Sequence, residues 1–424
     1  MTDTFSAVPS LRRMAQLLCA ACLGLLLGAA AAAAWLQGWL GVASALALSG
    51  AGIVVALLAA GSCLAVARQV RMEAGQPDLF LELNARRSEE RVAQTRWSLS
   101  SAPCRWLAAT VFGHRHLVGD VVRIRPLHEI RATLDARGCL DGLPFMDEMA
   151  SCCGREAVVY RVVDKIYDYG RSRLMRRLDD CVLLTGLRCD GGAHAGCEAA
   201  CYLIWKSQWL EASTATVSQP AATAVPAAAT QASAGVPDPA TIYSCQYTEL
   251  TNASQAMSQG DWRRLLGPWV VGNVTAGAFA VALATRAFNA LQLRRGGLCY
   301  PARPPGSSEK AQPGASLQPG QWVRVRTSAE IARTLDQNSK NRGLWFDRDM
   351  LKHSGSLRRV RGRVHKIIDI HSGKMIPMKT ACIVLEGVHY SGEFQGFGEQ
   401  HDYLYWREVW LEPVPPVGAA TPTP

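Results

Sequence analysis

Four potential metal ligands lie within thirteen residues in the first half of the chain: Cys189, His194, Cys197 and Cys201. Thiolate sulfur and imidazole nitrogen are donors that tetrahedral zinc prefers, and the glycines between them allow the backbone to fold around an ion. The spacing is looser than that of two paired Cys-x-x-Cys knuckles, which makes it less specific. The segment predicts a zinc site that staples the surrounding domain.

Other ligands and other roles remain open for this segment. Cys153 and Cys245 are alternatives to His194 as the fourth ligand. The same thiols could instead be core or surface residues, because cysteine packs like a small apolar side chain. A redox or iron–sulfur role is a third interpretation of the cysteine set.

The chain contains one domain twice. Adding 201 to any residue number from 119 to 211 gives its counterpart, and about 30 of the 93 aligned positions are identical. Such a repeat has to be recognised before any fold is predicted. Four cysteines of the first copy have no cysteine in the second: Cys153, Cys189, Cys197 and Cys201 correspond to Ser354, Tyr390, Gly398 and Asp402. Joint loss is what a cooperative metal site predicts, although independent drift gives the same result.

Both copies show the same order of predicted elements. A strand at 119–125 precedes a helix at 129–135, and β-branched runs follow at 158–166, 181–184 and 202–210. Several short strands separated by turn residues indicate a small barrel. The Gly-Asp-x-Val-Arg-Ile-Arg opening is typical of Src-homology-3-like barrels. In the second copy, Thr327 three residues before Glu330 predicts a capping box.

Two apolar runs without charge, residues 14–36 and 40–67, precede the repeats. Each reaches the length of about 20 residues that a membrane-spanning helix needs. Arginines flank both runs, and the positive-inside rule then places both termini in the cytoplasm. We therefore expect a transmembrane hairpin over 1–72 in a multi-pass protein of the bacterial cytoplasmic (inner) membrane. A cleaved signal peptide is the rival interpretation, and the second apolar run argues against it.

The expected fold class is α+β: an N-terminal transmembrane helical hairpin followed by two homologous small β-barrel (Src-homology-3-like) domains with helical insertions. Both repeat domains are expected in the cytoplasm, where thiols stay reduced. An uncharged stretch at 265–284 predicts a buried or interfacial helix, with a third membrane span as the alternative. The expected segments are a hairpin at 1–72, a juxtamembrane segment at 73–118, repeat domains at 119–213 and 320–413, a disordered Ala/Pro/Thr linker at 214–240, a helical connecting segment at 241–319 and a disordered tail at 414–424.

Charge is distributed unevenly between the copies. Residues 119–211 carry 13 basic and 14 acidic side chains, a net charge of −1, whereas residues 320–424 carry 15 and 11, a net charge of +4. A nucleic-acid-binding protein concentrates positive charge on its folded domain, so a nucleic-acid partner is disfavoured. Arg359, Arg361 and Arg363 alternate along a predicted strand and share one face, with Lys366 nearby. That face could bind phosphate, anionic lipid or nucleic acid, or it could be a solvated strand face.

Several motifs resemble those of a family of uncharacterised bacterial tandem-repeat proteins. They are Leu140-Asp-Gly-Leu-Pro-Phe-Met146, Gly186-Leu-Arg-Cys-Asp-Gly191, Tyr243-Ser-Cys-Gln246 and Tyr405-Trp-Arg-Glu-Val-Trp-Leu411. The likeness covers most of residues 119–414. That family has no established activity, so the resemblance implies the repeated domain and no reaction. In the family the second copy usually carries cysteines that are missing here, and the apolar hairpin is an addition.

The sequence favours a membrane-anchored, non-catalytic binding or scaffold protein. Its two repeats would bind an unidentified protein or an envelope component, with zinc stapling the first repeat. Acids retained in both copies have no His or Ser partner in both, which leaves general acid–base catalysis unsupported. One alternative is a metal-dependent enzyme or accessory subunit that uses the cleft between the repeats and needs an open metal position. The other is binding of nucleic acid or anionic lipid through the basic face of the second repeat.

Overall fold

A computed structural model of the chain describes residues 56, 59–60, 62–68, 102–168, 174–213, 241–258, 261, 263–302, 306–309, 316–395 and 397–414. The chain divides into two compact units. The first unit comprises Met1–Glu82, Ala276–Ala311 and Val325–Ser356, and the second comprises Leu83–Thr275, Gln312–Arg324 and Leu357–Pro424. The second unit therefore contains the whole first repeat and the long strands of the second.

The helices and strands up to residue 256 are α1 (Ala102–Val111), β1 (Val121–Ile124), α2 (Leu127–Arg131), β2 (Cys139–Leu140), β3 (Leu143–Pro144), α3 (Asp147–Ala150), β4 (Glu156–Tyr167), β5 (Met175–Arg188), β6 (Tyr202–Lys206), β7 (Leu210–Ala212), α4 (Gln246–Ala253) and β8 (Gln255–Ala256). The later ones are α5 (Arg263–Val270), α6 (Ala276–Arg294), β9 (Trp322–Val325), α7 (Ser328–Arg333), β10 (Lys340–Asn341), β11 (Leu344–Trp345), α8 (Arg348–Leu351), β12 (Leu357–Ile368), β13 (Met375–His389), β14 (Tyr403–Trp406) and β15 (Leu411–Pro413).

The first repeat forms one sheet in the order β6-β5-β4-β1-β7, and β8 also pairs with β5. The register between β4 and β5 shifts between Val159 and Arg161 and again between Val163 and Lys165. Such bulges bend a strand and increase its twist. The sheet consequently curls into a half-barrel with β6 and β7 as its outer strands.

The concave side of this sheet is filled by aromatic and β-branched side chains. Trp205 and Trp209 are fully buried, and the Trp209 indole donates a hydrogen bond to the Thr133 hydroxyl at 3.0 Å. Phe145, from the segment between β1 and β4, packs edge-on against both rings. The inserted segment therefore closes the core that the half-barrel leaves open.

The outer strand β6 is capped by a side chain instead of another strand. The Ile204 N–H donates to the Gln246 Oε1 at 2.8 Å, and the Gln246 Nε2 donates back to the Ile204 carbonyl at 2.8 Å. The same amide nitrogen reaches the Pro144 carbonyl at 3.1 Å. Gln246 thus satisfies backbone groups that an uncovered edge would leave unpaired.

The second repeat has the matching sheet order β14-β13-β12-β9-β15. Strands β12 and β13 show register shifts between Val360 and Gly362 and between Val364 and Lys366, at the counterparts of the first repeat's bulges. Trp406 and Trp410 are fully buried, like Trp205 and Trp209. The copies therefore share their bends as well as their strand order.

Each repeat places a loop on the backbone of the other. The first loop, residues 189–201, follows β5, and the second loop, residues 390–402, follows β13. The Glu198 N–H donates to the Lys366 carbonyl at 3.0 Å, and the Glu399 N–H donates to the Lys165 carbonyl at 3.1 Å. Because Glu399 is the counterpart of Glu198 and Lys366 that of Lys165, the two contacts are related by an approximate two-fold axis.

The carboxylates of Glu198 and Glu399 form a second pair of equivalent hydrogen bonds between the repeats. The Glu198 Oε2 accepts the backbone N–H of His365, and the Glu399 Oε2 accepts that of Asp164, the counterpart of His365, at 2.7 Å. Glu399 is fully buried, and its other oxygen accepts a hydrogen bond from the Asn273 amide at 2.8 Å. The repeats in the second unit are therefore joined by paired carboxylate–backbone hydrogen bonds.

Residues close to the approximate two-fold axis contact their counterparts in the other repeat. The Arg188 guanidinium lies 3.2 Å from the Nε2 of His389, which is residue 188 plus 201. It also stacks on the rings of Tyr202 and Tyr403, at 3.6 and 4.2 Å from their centroids. Burial, and then Arg188, hold the pKa of His389 well below its usual range. Arg188 thus packs against a neutral imidazole between two equivalent tyrosines.

The first unit contains the helical insertion of the second repeat. Thr327 accepts a hydrogen bond from the Glu330 N–H, and the Glu330 carboxylate accepts one from the Thr327 N–H at 2.8 Å. This confirms the predicted capping box at the start of α7. The buried Asp349 and Lys352 form an ion pair at 3.1 Å.

The predicted transmembrane hairpin and multi-pass membrane localisation are contradicted. Among the residues that the structure describes, no helix is long and apolar enough to cross a membrane. The span at 14–36 lies outside those residues, as does most of the span at 40–67. The described end of the second run packs against protein: Ala65 and Arg68 are buried, and Arg68 stacks on Tyr300 at 5.2 Å. An apolar run is equally suited to a buried helix, and composition alone does not separate the two.

The remaining fold expectations are corrected in two places. The uncharged stretch at 265–284 is two helices, α5 and α6, separated by a turn that includes Gly272 at φ +85°. The expected fold class is contradicted, because no described helix could form the transmembrane hairpin, and each repeat's main sheet is an open half-barrel among several sheets and helices. The bulges bend the strands, but no ladder joins the outer strands among the described residues. The linker at 214–240 lies outside them, as does nearly all of the tail at 414–424.

The hydrogen bonds between the Gln246 side chain and strand β6 give a first prediction. Gln246→Ala leaves the buried Ile204 N–H and carbonyl without a partner, so the free energy of unfolding should fall by about 1–3 kcal/mol. Urea denaturation of the full chain measures this. The control is Gln255→Ala, because Gln255 is exposed on β8. Equal losses for both variants would contradict the capping role.

The buried carboxylate at the axis gives a second prediction. Burial raises the pKa of Glu399 from 4.5 to about 7, against the favourable charge of Lys165 and with Asp164 adding to the rise. Because the pKa of Glu399 is higher in the folded than in the unfolded chain, its carboxyl contributes fully to the free energy of unfolding below pH 4.5. That contribution is lost as the pH rises through about 7. Glu399→Gln should therefore flatten the decline of unfolding free energy between pH 5 and 7, which is at most about 1.4 kcal/mol per pH unit for one proton.

The control for this measurement is Asn273→Ala, which removes the hydrogen-bond donor to Glu399 but keeps the titrating carboxyl. Urea denaturation at several pH values should show lower stability in this variant with the decline retained. An unchanged decline in Glu399→Gln would show that other groups cause it.

Candidate metal site

Three side chains of the first repeat converge on one point. Ligand atoms of Glu148, Cys189 and His194 all lie within 4.8 Å of one another. The Nδ1 of His194 is 3.9 Å from the Glu148 Oε1, and the two side chains are 5% and 9% exposed. In a tetrahedral zinc site, neighbouring ligand atoms lie about 3.3–3.7 Å apart. The 3.9 Å pair is a few tenths of an ångström from that range, and atoms at the 4.8 Å limit would have to approach by about 1 Å. This group could hold a metal ion.

The fold of the first loop positions Cys189 and His194. The Cys189 N–H donates to the Cys201 carbonyl at 2.8 Å and closes the loop at its base. Gly191 then adopts φ +74°, where a Cβ would lie 2.0 Å from the Cys197 carbonyl oxygen. Only glycine fits there. The following 3-10 helix, Gly192–His194, directs the imidazole inward.

Glu148 comes from the other side, on the first turn of α3. Its neighbour Met149 is fully buried and fixes the orientation of this short helix. Sequence reasoning missed Glu148, because 41 residues separate it from Cys189. One signal could have found it: the second repeat also has an acid at this position, Asp349.

The electrostatics of the group suit a bound cation. Burial, and then the Glu148 carboxylate, raise the pKa of the Cys189 thiol well above its usual range. Both carboxylate oxygens of Glu148 and the Nδ1 of His194 are buried and make no hydrogen bond of standard geometry among the described residues, with the Cys189 thiol as the donor beside Glu148. Most buried polar groups are paired, so three such atoms together call for an explanation. A bound cation would satisfy all of them.

The other predicted ligands lie outside this group. The Cys197 sulfur accepts a hydrogen bond from the Ile368 N–H at 3.4 Å. Burial, and then Asp402, raise the pKa of Cys201, and burial raises that of Cys245. Cys153 donates to the Met149 carbonyl at 3.8 Å. Within 4.8 Å of one another the structure places two of the six predicted ligands together with Glu148. Cys197 and Cys201 also lie near Cys189, and Cys245 lies near both of them.

The predicted basic face is distributed over separate contacts. Arg359 donates to the Gly320 carbonyl at 3.1 Å, and Arg361 stacks on Tyr403 at 5.0 Å. Arg363 pairs with Glu408 at 2.6 Å, and Lys366 donates to the Ala195 carbonyl at 2.7 Å. The bulge of β12 between Val360 and Gly362 breaks the alternation on which a shared face depends.

Comparison with known proteins leaves function to be inferred from this geometry. No protein-family model matches the chain, and neither the curated proteins nor the solved structures contain a match to it. The resemblance to uncharacterised tandem-repeat proteins therefore stays a prediction.

The thiol of Cys189 makes metal binding depend on pH. Its raised pKa means that binding must displace the thiol proton, so the apparent affinity should increase about tenfold per pH unit between pH 6.5 and 8. Competition with a chromophoric chelator measures this. Cys189→Ser should lose both affinity and pH dependence, whereas Cys153→Ser should keep both. A pH-independent affinity in the unmodified chain would exclude Cys189 as a ligand.

Proposed function

We propose that this protein is a zinc-binding, non-catalytic binding protein whose zinc ion organises the first repeat. The observation that carries the proposal is the convergence of Glu148, Cys189 and His194, with buried carboxylate and imidazole atoms that lack hydrogen-bond partners in the described structure. A cation at this point removes the cost of burying them, which is about 1–3 kcal/mol for each unsatisfied polar group.

The chemistry of the donors selects zinc among common cations. Magnesium and calcium prefer sites built from oxygen ligands. A thiolate, an imidazole and a carboxylate are the three donor types found at protein zinc sites. Soft sulfur with borderline nitrogen favours a late transition metal, and tetrahedral sites of this composition are typical of zinc.

The surroundings of the site favour a structural role. His194 is 4% exposed, which limits the access of a substrate. The loop that supplies two ligands also uses its backbone and Glu198 to contact β12. An ion there supports a contact between the repeats.

The exterior of the second repeat supports the binding part of the proposal. Trp322 and Leu357, on the paired strands β9 and β12, are 40% and 46% exposed. Their counterparts in the first repeat are Val121 and Glu156. Aromatic side chains beside arginine are enriched where proteins bind other proteins, and Arg359 lies opposite Trp322 on β12. The partner fitted by this patch is a protein.

A metal-dependent enzyme is the second candidate, and the number of ligands favours it. Structural zinc sites usually have four protein ligands, whereas catalytic sites have three and an open position. The described group has three. In cobalt-loaded protein, added azide should leave the visible spectrum unchanged if the ion is structural. A spectral change would show an open position and favour the enzyme.

Metal analysis of the full-length chain tests the proposal. Protein purified under reducing conditions should contain one zinc ion per chain. Glu148→Gln, Cys189→Ser and His194→Gln should each weaken zinc binding by at least about tenfold, because each removes a direct ligand. Cys153→Ser is the matched control and should keep the ion, because its thiol donates to the Met149 carbonyl.

Two further variants separate this ligand set from the one expected from the sequence. If Cys197→Ser and Cys201→Ser release zinc while Glu148→Gln retains it, the ligands are those predicted from the sequence, all in the first loop. The proposed geometry with Glu148 is then wrong. If the unmodified chain binds no zinc, the proposal fails.

A further inference from the structure

The first loop has two roles in the same thirteen residues. It supplies Cys189 and His194 to the metal group, and it contacts the second repeat through Ala195, Cys197 and Glu198. The backbone of the loop connects these roles directly: the Cys197 N–H donates to the His194 carbonyl at 3.1 Å. A change in the position of His194 therefore displaces the residues that contact β12.

Besides the hydrogen bond from the Glu198 N–H to the Lys366 carbonyl, three hydrogen bonds attach this loop to one stretch of β12. The Lys366 ammonium donates to the Ala195 carbonyl at 2.7 Å, and the Ile368 N–H donates to the Cys197 sulfur at 3.4 Å. Glu198 completes the set with its carboxylate on the His365 N–H. We call the contacts of the first loop with residues 365–368 the first latch.

The second loop makes the equivalent contacts without metal ligands. At the counterparts of Cys189 and His194 it carries Tyr390 and Gln395. Tyr390 and Phe397 are buried, so apolar packing holds this loop. We call the contacts of Glu399 and Gln400 with residues 164–167 the second latch; in it the Tyr167 N–H donates to the Gln400 Oε1 at 3.3 Å.

Without an ion, the Glu148 carboxylate on α3 and the His194 imidazole in the first loop are buried and make no hydrogen bond of standard geometry among the described residues. Local opening relieves that cost by exposing both groups to water, and the opening runs through the segment that contacts β12. In the second loop only the Oδ1 of Asp402 is buried without a hydrogen-bond partner among the described residues, so the cost there is smaller.

We propose that zinc controls the junction between the repeats: the metal-bound first loop closes the first latch, and loss of the ion opens that latch while the second stays closed. This inference rests on the proposed zinc site and adds its regulatory consequence. Zinc availability then sets whether the repeats are held at two places or at one.

Amide hydrogen exchange of the full-length chain, with zinc and after removal of zinc by a chelator, tests this. Amides of Glu198, His365 and Ile368 should exchange at least about tenfold faster in the zinc-free chain, because local opening exposes them. The matched control is internal: amides of Asp164, Lys165 and Glu399 in the second latch should keep their protection. His194→Gln should reproduce the zinc-free pattern without a chelator, and Cys153→Ser should not.

The outcomes separate the inference from the proposed function. If the chain binds one zinc ion and first-latch protection does not change on its removal, the inference is wrong and the zinc site stands. If both latches lose protection equally, the ion supports the whole fold and the inference is again wrong. If metal analysis finds no zinc, the site and the inference fail together.

Discussion

The carboxylates of Glu198 and Glu399 accept hydrogen bonds from the backbone of the opposite repeat, and the second unit depends on this pairing. Hydrogen bonds of this kind contribute about 0.5–1.5 kcal/mol each when the acceptor is neutral, which burial favours for Glu399, and about 1.5–3 kcal/mol each when the acceptor is ionised. They also fix register, because the acceptor reaches the N–H of only one or two residues. A reciprocal pair of such contacts determines both the distance and the rotation between two otherwise separate sheets.

The loops that carry these glutamates have to be rigid, and each copy achieves this differently. Gly191 and its counterpart Gly392 both have positive φ in turns where a Cβ would collide with backbone atoms. Beyond that shared turn, the first loop depends on polar groups that converge on one point, whereas the second depends on buried aromatic rings. One backbone design is therefore stabilised by two kinds of interaction with different sensitivity to solution conditions.

The sequence predicted the parts of this structure that depend on local pattern. The strands at 158–166 and 181–184 lie within β4 and β5, and the capping box at Thr327 is present. Alternation and cap chemistry are properties of neighbouring residues, which explains this success. The fixed offset of 201 residues also implied equivalent sheets.

The features that the sequence did not predict correctly depend on tertiary contacts. Glu148 joins the metal group only because α3 packs beside the first loop, and no local spacing encodes that. The proposed membrane hairpin was inferred from uncharged composition, which a helix packed within a protein shares. The basic face of β12 was inferred from perfect alternation, and the bulge between Val360 and Gly362 interrupts that alternation, so anion binding by these residues stays a prediction.

The contact between Arg188 and His389 has a consequence for how such a molecule can be built. In a symmetric dimer of identical chains, a residue on the two-fold axis faces its own copy. Arginine at this position would face arginine, and two buried like charges at about 3–4 Å repel strongly. When the two copies are joined in one chain, that restriction is removed. The equivalent positions on either side of the axis can then carry different residues. In this chain the Arg188 guanidinium faces the neutral His389 imidazole. A homodimer of a single repeat could not have such an asymmetric contact on its axis.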